Sequence, residues 1–108
     1  MRYFALKNDF PELKERARVI KRLTSLKEDL DNRIPEKIFN KNVLIATWNI
    51  RDFDSNQYGY GPRTKEAFFY MSEIISSFDL VAIQEVNENL YAFNRLMYVM
   101  GENWDYIM

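Results

Sequence analysis

The hydrophobic positions in the first third of the chain follow a helical period. Between residues 11 and 31 the apolar residues recur at steps of three and four, which places them on one stripe of an α-helix. Asn8 or Asp9 is suited to cap the start of this helix and Pro11 to an early helical position. Pro35 disfavours a helical residue before it and so predicts the end of the helix. The predicted stripe, which we expect to pack on the rest of the domain, comprises Leu13, Ala17, Ile20, Leu23, Leu26 and Leu30.

Two apolar segments predict strands inside a sheet. Residues 43–48 and 80–83 are continuous runs of branched, aromatic and small residues, a pattern typical of strands that are covered on both faces. Residues 63–77, between the two runs, return to a helical period. This strand–loop–helix–strand order resembles a crossover unit, so we expect the two strands to be parallel or to lie in one sheet.

The rest of the chain predicts one more helix and the start of a third strand. Residues 88–100 have a helical period, Gly101 is suited to the C-cap, and residues 104–107 have the composition of a strand. The two later helices have similar predicted inward positions. These are Ala67, Phe68, Met71, Ile74 and Ile75 in the first, and Leu90, Phe93, Leu96, Met97 and Met100 in the second.

The composition is that of a folded domain. The chain has 108 residues, of which 47% are hydrophobic and 16% aromatic, enough for one domain with a core. It has no cysteine, which excludes disulfides, thiolate metal sites and a cysteine nucleophile. No apolar run is long enough for a signal peptide or a membrane span. We therefore expect a soluble, cytoplasmic protein.

Charge divides the chain into two parts. Residues 1–41 contain 11 Lys and Arg against 7 Asp and Glu, whereas residues 42–108 contain 4 against 9. We interpret the first part as an N-terminal helical extension and the second as the body of the domain. The basic extension is either a solvated face of a packed helix, a dimerisation element or a surface that holds nucleic acid.

Polar residues follow both strands at their carboxyl ends. Asn49 and Arg51 follow the first apolar run, and Gln84 and Glu85 follow the second. A carboxylate carried to the end of a dry strand needs a compensating cation, and Mg²⁺ is bound by one or two carboxylates together with substrate phosphate. Asn49 could orient the metal or its water, and Arg51 could hold a phosphate by two hydrogen bonds. Strand-ending Asn and Glu residues are common, so by themselves these residues are compatible with metal-assisted phosphoryl chemistry and equally with a structural role.

These two motifs carry a resemblance to a known superfamily. Thr-Trp-Asn-Ile-Arg-Asp-Phe at 47–53, followed by Phe-Asp-Leu-Val-Ala-Ile-Gln-Glu-Val at 78–86, resembles the amino-terminal part of the endonuclease/exonuclease/phosphatase superfamily. The Asn-Ile-Arg form is closest to its deoxyribonuclease I branch. The resemblance covers residues 42–108 and implies an α/β (α+β) fold, part of a deoxyribonuclease I-like two-sheet sandwich with flanking helices. It also implies that Asn49 and Glu85 lie at a catalytic Mg²⁺ site, with Mn²⁺ or Ca²⁺ as substitutes, and that Arg51 contacts the DNA backbone.

The chain also departs from the family pattern. It has no histidine, and it lacks the family's Gly-Asp-x-Asn and Ser-Asp-His segments. We therefore expect the amino-terminal portion of a Mg²⁺-dependent phosphodiesterase, an endonuclease acting on DNA, whose catalytic histidines come from the remainder of the domain or from a second chain. One alternative is a non-catalytic module that binds nucleic acid or protein. Another, within the enzyme class, is a phosphodiesterase or phosphatase that acts on phosphoinositides or sphingomyelin. The binding-module alternative would depend on the basic helix, through Lys14, Arg18, Lys21 and Arg22.

Overall fold

The fold combines four helices with a small parallel sheet in the part of the chain that the structure describes. A computed structural model describes residues 1–53, 65–86 and 91–107, and for residues 50–53, 85 and 86 it describes only the backbone. The elements in chain order are α1 (Ala5–Asp9), α2 (Leu13–Arg33), β1 (Ile45–Phe53), α3 (Lys65–Ser76), β2 (Leu80–Val86) and α4 (Tyr91–Met100). The predicted mixture of helix and strand is confirmed. The two-sheet sandwich stays a prediction.

The two strands pair in parallel, as the sequence predicted. Ile45 lies opposite Leu80, and the register continues without a break to Asn49 opposite Gln84. Asp79 fixes the start of this register. Its carboxylate oxygen Oδ2 accepts the backbone N–H of Leu44 at 2.7 Å, and its own N–H donates to the carbonyl oxygen of Leu44 at 2.7 Å.

The core lies between the helices and one face of the sheet. Helix α3 packs against both α2 and α4, and the sheet contributes Trp48, Val81 and Ile83 at the edge of the buried cluster. Burial of one large apolar side chain stabilises a fold by about 1.5–3 kcal/mol, so this cluster is the main source of stability in the described part of the chain. Its largest fully buried hydrophobic side chains are Val19, Phe69, Leu96, Val99 and Met100.

Helix α2 exists as predicted, but the predicted stripe is wrong in its first half. Leu23 is buried and Leu26 and Leu30 are half-buried, whereas Leu13, Ala17 and Ile20 are exposed. Val19 takes their place in the core with no exposed surface. At 100° per residue, Val19 lies on the line of Leu23, Leu26 and Leu30, and the exposed residues lie about a third of a turn away. The contact with α3 therefore selects a stripe that begins at Val19.

The start of α2 also differs from the prediction. A separate helix, α1, occupies residues 5–9, and α2 has Glu12 at its N-cap position without a side-chain cap. The proposed caps Asn8 and Asp9 are therefore wrong, and Pro11 precedes the helix. Asp9 instead forms an ion pair with Arg95 of α4. The predicted end is confirmed, because Ile34 before Pro35 is extended, with φ −109° and ψ 133°.

The expectation that both faces of the sheet are covered is wrong. Ile45 is 62% exposed and Leu80 59% exposed, although both belong to apolar strand segments. Successive residues of a strand point to opposite faces, and exposure alternates along both strands in this way. The helices lie on one face alone, so the other face of the described sheet is open.

The end of the described chain differs in one respect from the prediction. Gly101 has φ +94°, and its N–H donates to the carbonyl oxygen of Met97 at 3.2 Å, which confirms it as the C-cap of α4. The predicted third strand is wrong, because residues 104–107 pair with no strand of the described chain. Tyr106 instead packs its ring against Phe93 at 4.8 Å, edge to face. The predicted helix positions 63–64 and 88–90, with Leu90, lie outside the described residues.

Candidate functional site

The candidate site lies at the carboxyl ends of β1 and β2. Parallel pairing brings both ends to one edge of the sheet, and the register sets Asn49 opposite Gln84. Neighbouring strands lie about 4.8 Å apart, so the backbones of these two residues are direct neighbours. Both side chains are exposed. The amide oxygen of Asn49 is therefore accessible at the sheet end, next to the residue that precedes Glu85.

The register becomes irregular directly after this pair. The next paired position after Asn49 is Phe53, which lies opposite Val86. Three residues of β1 therefore correspond to one residue of β2, and that residue is Glu85. Irregular pairing of this kind bends a strand, and it is common next to active sites. The backbones of Arg51 and Glu85 belong to this irregular segment, and their side chains lie outside what the structure describes.

The residue types at this end fit a hard, oxygen-preferring cation. Asn49 offers an amide oxygen and Glu85 a carboxylate, the donor types that Mg²⁺, Mn²⁺ and Ca²⁺ take from proteins. Among the residues whose side chains the structure describes, which do not include Asp52 and Glu85, no three His, Cys, Asp or Glu side chains are grouped so that they could hold a metal ion. A metal at this edge would take a carboxylate oxygen from Glu85 and an amide oxygen from Asn49, with further ligands from water or substrate.

The four basic residues of α2 on which the binding-module alternative depends divide into two pairs. Arg18 and Arg22 face α3, where their guanidinium nitrogens lie 3.1 and 3.8 Å from the carboxylate of Glu66. Lys14 and Lys21 are exposed, and no ion pair involves them within the described part of the chain. Half of the basic surface proposed for nucleic acid is therefore engaged in holding α2 against α3.

Aromatic side chains can stack on nucleic-acid bases, and the sequence offers Tyr58, Tyr60, Phe68, Phe69 and Tyr70 as candidates. Phe68 and Phe69 are buried in the core, where they cannot stack on a base. Tyr70 is half-buried and donates its hydroxyl to Glu66 at 3.0 Å. Burial raises the pKa of Tyr70, the hydrogen bond to Glu66 adds to the effect, and Arg22 opposes it. Tyr58 and Tyr60 lie outside the described residues.

A buried carboxylate on α3 escaped the sequence reasoning. Glu73 is 6% exposed, accepts the Tyr3 hydroxyl at 2.8 Å and lies 3.9 Å from the ammonium nitrogen of Lys27. Burial raises the pKa of Tyr3 to about 12, and the hydrogen bond to Glu73 and its negative charge contribute to the rise. The available signal was its position, because Glu73 lies between Met71 and Ile75 on the apolar side of α3.

A groove of about 440 Å³ lies beside this carboxylate. It runs between the end of α2 and the end of α3, and Leu30, Ile34 and Pro35 provide its apolar wall. Its lining carries both signs of charge, with the positively charged Lys27 and Lys37 and the negatively charged Glu73 and Asp31. It lies on the helical side, apart from the carboxyl ends of the strands.

Comparison with known proteins gives no functional assignment, so the assignment depends on the site. No protein-family model matches the chain, and neither the curated proteins nor the solved structures include a significant match. Each helix of the described residues is too short or too polar to cross a bilayer.

Proposed function

We propose that this chain is the amino-terminal part of a Mg²⁺-dependent phosphodiesterase that hydrolyses DNA. Asn49 and Glu85 hold the metal, and Arg51 holds a phosphate of the substrate. The observation that supports the proposal is the parallel register, in which Asn49 lies opposite Gln84 and the segment containing Glu85 follows at the same edge. Motifs that are 35 residues apart in the sequence thereby become neighbours.

The donor set is compatible with the metal. Mg²⁺ retains several water ligands and takes one or two carboxylates, with substrate phosphate completing its shell. Asn49 is exposed, so its amide oxygen is free to face a ligand from solvent. When bound, the cation would polarise a phosphoryl oxygen and neutralise charge that develops on the leaving group.

The chain supplies binding and positioning in this proposal. The Arg51 guanidinium would hold a phosphate through paired hydrogen bonds and set its position along the edge of the sheet. Proton transfer at neutral pH requires a group that titrates near 7, and histidine is the usual one. The chain has none. The proton-transferring groups of the reaction therefore belong to the remainder of the domain or to a second chain.

Metal binding tests the proposal directly. Mg²⁺ and Mn²⁺ titrations should be compared by calorimetry for the wild type, Glu85→Gln and the matched control Glu28→Gln, since Glu28 is exposed on α2. We expect Glu85→Gln to weaken binding at least about tenfold, because it removes the one charged ligand. In nuclear magnetic resonance spectra, Mn²⁺ should broaden the side-chain amide signal of Asn49 before that of Asn42. Equal affinities for all three proteins, or equal broadening, would overturn the metal site.

The substrate class has its own test. A short DNA duplex and a soluble inositol phosphate should be compared as ligands of the metal-loaded chain, with Arg51→Ala as the variant. We expect the duplex to bind more tightly and Arg51→Ala to weaken it severalfold, since a bidentate phosphate contact is lost. Preferential binding of the inositol phosphate would move the assignment to the phosphoinositide branch.

The exposed pair Lys14 and Lys21 supports a second candidate, a non-catalytic module that binds DNA through α2. Its test is the double variant Lys14→Ala, Lys21→Ala. A larger loss of duplex affinity than Arg51→Ala causes, with a reduced salt dependence, would favour this candidate. Unchanged affinity would exclude it.

A further inference from the structure

The groove between the ends of α2 and α3, which we call the α2–α3 groove, is built from one face of each helix. Helix α2 contributes Lys27, Leu30 and Asp31, and α3 contributes Glu73 and Ser76. Positions three and four apart share a helix face, so each set projects to the same side. The volume of about 440 Å³ lies in the range of small-molecule sites, roughly 300–1,000 Å³.

Glu73 brings a buried charge to this groove without complete pairing. Its side chain is 6% exposed, and its carboxylate oxygen Oε2 accepts the Tyr3 hydroxyl at 2.8 Å. The other oxygen, Oε1, lies 3.9 Å from the ammonium nitrogen of Lys27, which is beyond hydrogen-bonding distance. A buried carboxylate is costly unless it is both charge-paired and hydrogen-bonded. A cationic ligand group with N–H donors would therefore be stabilised at Oε1.

Ser76 adds a second polar group without a partner. It follows Glu73 by three positions on α3 and also lines the groove. Its hydroxyl oxygen is buried and has no hydrogen-bond partner within the described part of the chain. Buried hydroxyls normally have a partner, and a ligand that lies against Ser76 would supply one. Ser72 has the same kind of unpartnered hydroxyl on the same helix, but it does not line the groove.

The charges of the groove select against ligands that carry a single charge. An anion would meet Glu73, and a simple amine would meet the ammonium group of Lys27 close beside it. Among the side chains that the structure describes, no three acidic groups are placed so that they could hold a metal ion here. The arrangement therefore favours a ligand whose positive and negative groups are close together.

We propose that the α2–α3 groove binds a free α-amino acid with an aliphatic side chain. The α-ammonium group donates to Oε1 of Glu73 and to the Ser76 hydroxyl, and the α-carboxylate accepts from the ammonium group of Lys27. These two ligand charges are attached to one carbon, which matches the adjacent charges of Glu73 and Lys27. The Lys27 side chain is 60% exposed, so it is free to turn toward the ligand.

The apolar wall of the groove accounts for the aliphatic side chain. Leu30, Ile34 and Pro35 form this wall, and burial of ligand methyl groups against it favours leucine over glycine. The exposure of Lys27 means that its contact with the ligand carboxylate is screened by water. We therefore expect a dissociation constant between about micromolar and millimolar.

A ligand series tests the choice of ligand class. The full chain should be titrated with L-leucine and followed by the nuclear magnetic resonance signals of the Glu73 and Ser76 amides. 3-Methylbutylamine lacks the carboxylate of leucine, 4-methylpentanoate lacks its ammonium group, and glycine lacks its side chain. We expect each to bind at least about tenfold more weakly than leucine. Absence of leucine binding at millimolar concentration, or equal binding of either singly charged analogue, would overturn the proposal.

Two serine variants of α3 form a matched pair. Ser76→Ala and Ser72→Ala each remove a buried hydroxyl that has no partner within the described chain. We expect Ser76→Ala to weaken leucine binding severalfold, because a hydrogen bond to the ligand is lost, and Ser72→Ala to leave it unchanged. Equal affinities in the two variants would show that leucine does not use the Ser76 hydroxyl and would contradict the proposed mode. Circular dichroism checks that both variants fold.

Charge variants test the pairing of the ligand groups. Lys27→Gln should weaken leucine binding at least about tenfold and reduce its advantage over 3-methylbutylamine, since the carboxylate loses its partner and the amine loses a like charge. Lys14→Gln is the matched control on the exposed side of α2 and should have no effect. Glu73→Gln keeps an oxygen for the Tyr3 hydroxyl and should improve binding of 4-methylpentanoate. An unchanged leucine advantage in Lys27→Gln would refute the arrangement. These measurements involve neither metal nor DNA, so the proposed function is tested separately.

Discussion

The two faces of the sheet differ in what their apolar residues do. On the helical face, Trp48, Val81 and Ile83 pack against the core. On the open face, Ile45 and Leu80 have the same kind of side chain but stand largely in solvent. The pattern of apolar residues in the strands is the same for both faces. Apolar residues in a strand therefore indicate a face that favours burial. The fold determines whether other parts of the same chain bury that face.

The largest expected difference between the faces appears in one matched pair of substitutions. Leu96→Ala removes a side chain that is 1% exposed, and we expect it to lower the free energy of unfolding by about 2–5 kcal/mol, since it leaves a cavity in the core. Leu80→Ala is the same chemical change at 59% exposure and should cost about 1 kcal/mol or less. Urea denaturation measures both losses. Equal losses would contradict the contrast between the faces.

On the helical side of the sheet, the features that depend on a local sequence pattern were predictable from the sequence. The inward positions of Phe68 and Met71 in α3 and of Phe93 and Leu96 in α4 follow a helical period, and the core accepts them. The left-handed Gly101 and the stop before Pro35 depend on the backbone preferences of single residues. The pairing of the strands followed from the strand–loop–helix–strand order of the segment.

The errors arose where tertiary contacts decide. Helix α1 has only five residues, too few for a period to be seen, and contacts with α4 support it. The ion pair between Asp9 and Arg95 joins α1 to α4, and just before α1 the backbone N–H of Arg2 donates to the carbonyl oxygen of Val99 at 2.7 Å. The first half of α2 has apolar residues along two lines of the helix surface. Contact with α3 determines that the line through Val19 is the buried one. Strand composition alone could not distinguish a covered face from an open one.

The backbone arrangement of the candidate site was predictable from the sequence. Strand-end polar residues and parallel pairing were enough to expect Asn49 near the Gln84-Glu85 segment, and the register agrees. The irregular pairing after Asn49 has no signal in the sequence, because it depends on how three residues of β1 are accommodated beside one residue of β2.

A second difference between the two sides of the sheet concerns buried polar groups. The pH dependence of the free energy of unfolding measures this difference. The pKa of Tyr3 is raised to about 12 in the folded protein, above its ordinary value of 10.0, so the protonated hydroxyl is favoured by folding. This contribution to stability is complete below pH 10 and is lost as the pH rises through 12. Tyr3→Phe should therefore flatten the fall in unfolding free energy between pH 10 and 12. At pH 7 it should cost about 1 kcal/mol, since Glu73 loses a donor.

Tyr106→Phe provides the control for the loss of a tyrosine hydroxyl. Tyr106 is exposed to almost the same extent as Tyr3, at 47% against 48%, and its ring lies against Phe93. At pH 7, Tyr106→Phe should lower the free energy of unfolding by less than Tyr3→Phe does. A Tyr3→Phe curve that keeps the wild-type slope would contradict the role assigned to the Tyr3–Glu73 pair.

A substitution at the start of the sheet, where the chain enters β1, should have a smaller effect on the free energy of unfolding. Asp79→Ala removes the acceptor of the Leu44 N–H and should lower the free energy of unfolding by about 0.5–1.5 kcal/mol. Asp79→Asn keeps an acceptor oxygen and should lose less, although it also removes the charge that lies 3.9 Å from Lys37. Hydrogen exchange at the amide of Leu44 should quicken in the Ala variant. Unchanged exchange would show that the register does not depend on this carboxylate.

The smallest expected effect has the opposite sign and belongs to the helical side. Ser72 has no exposed surface, and its hydroxyl has no hydrogen-bond partner within the described part of the chain. A buried hydroxyl without a partner retains the cost of losing water, and Ala is the better helix former, so Ser72→Ala should raise the free energy of unfolding by about 0.5–1 kcal/mol. Thr47→Ala is the comparison on the open face, where water already satisfies the hydroxyl, and it should bring no gain. Thermal denaturation of both variants measures the difference. A loss of stability in Ser72→Ala would mean that this hydroxyl has a partner in solution, and the helical side would then depend on a buried hydrogen bond as well as on packing.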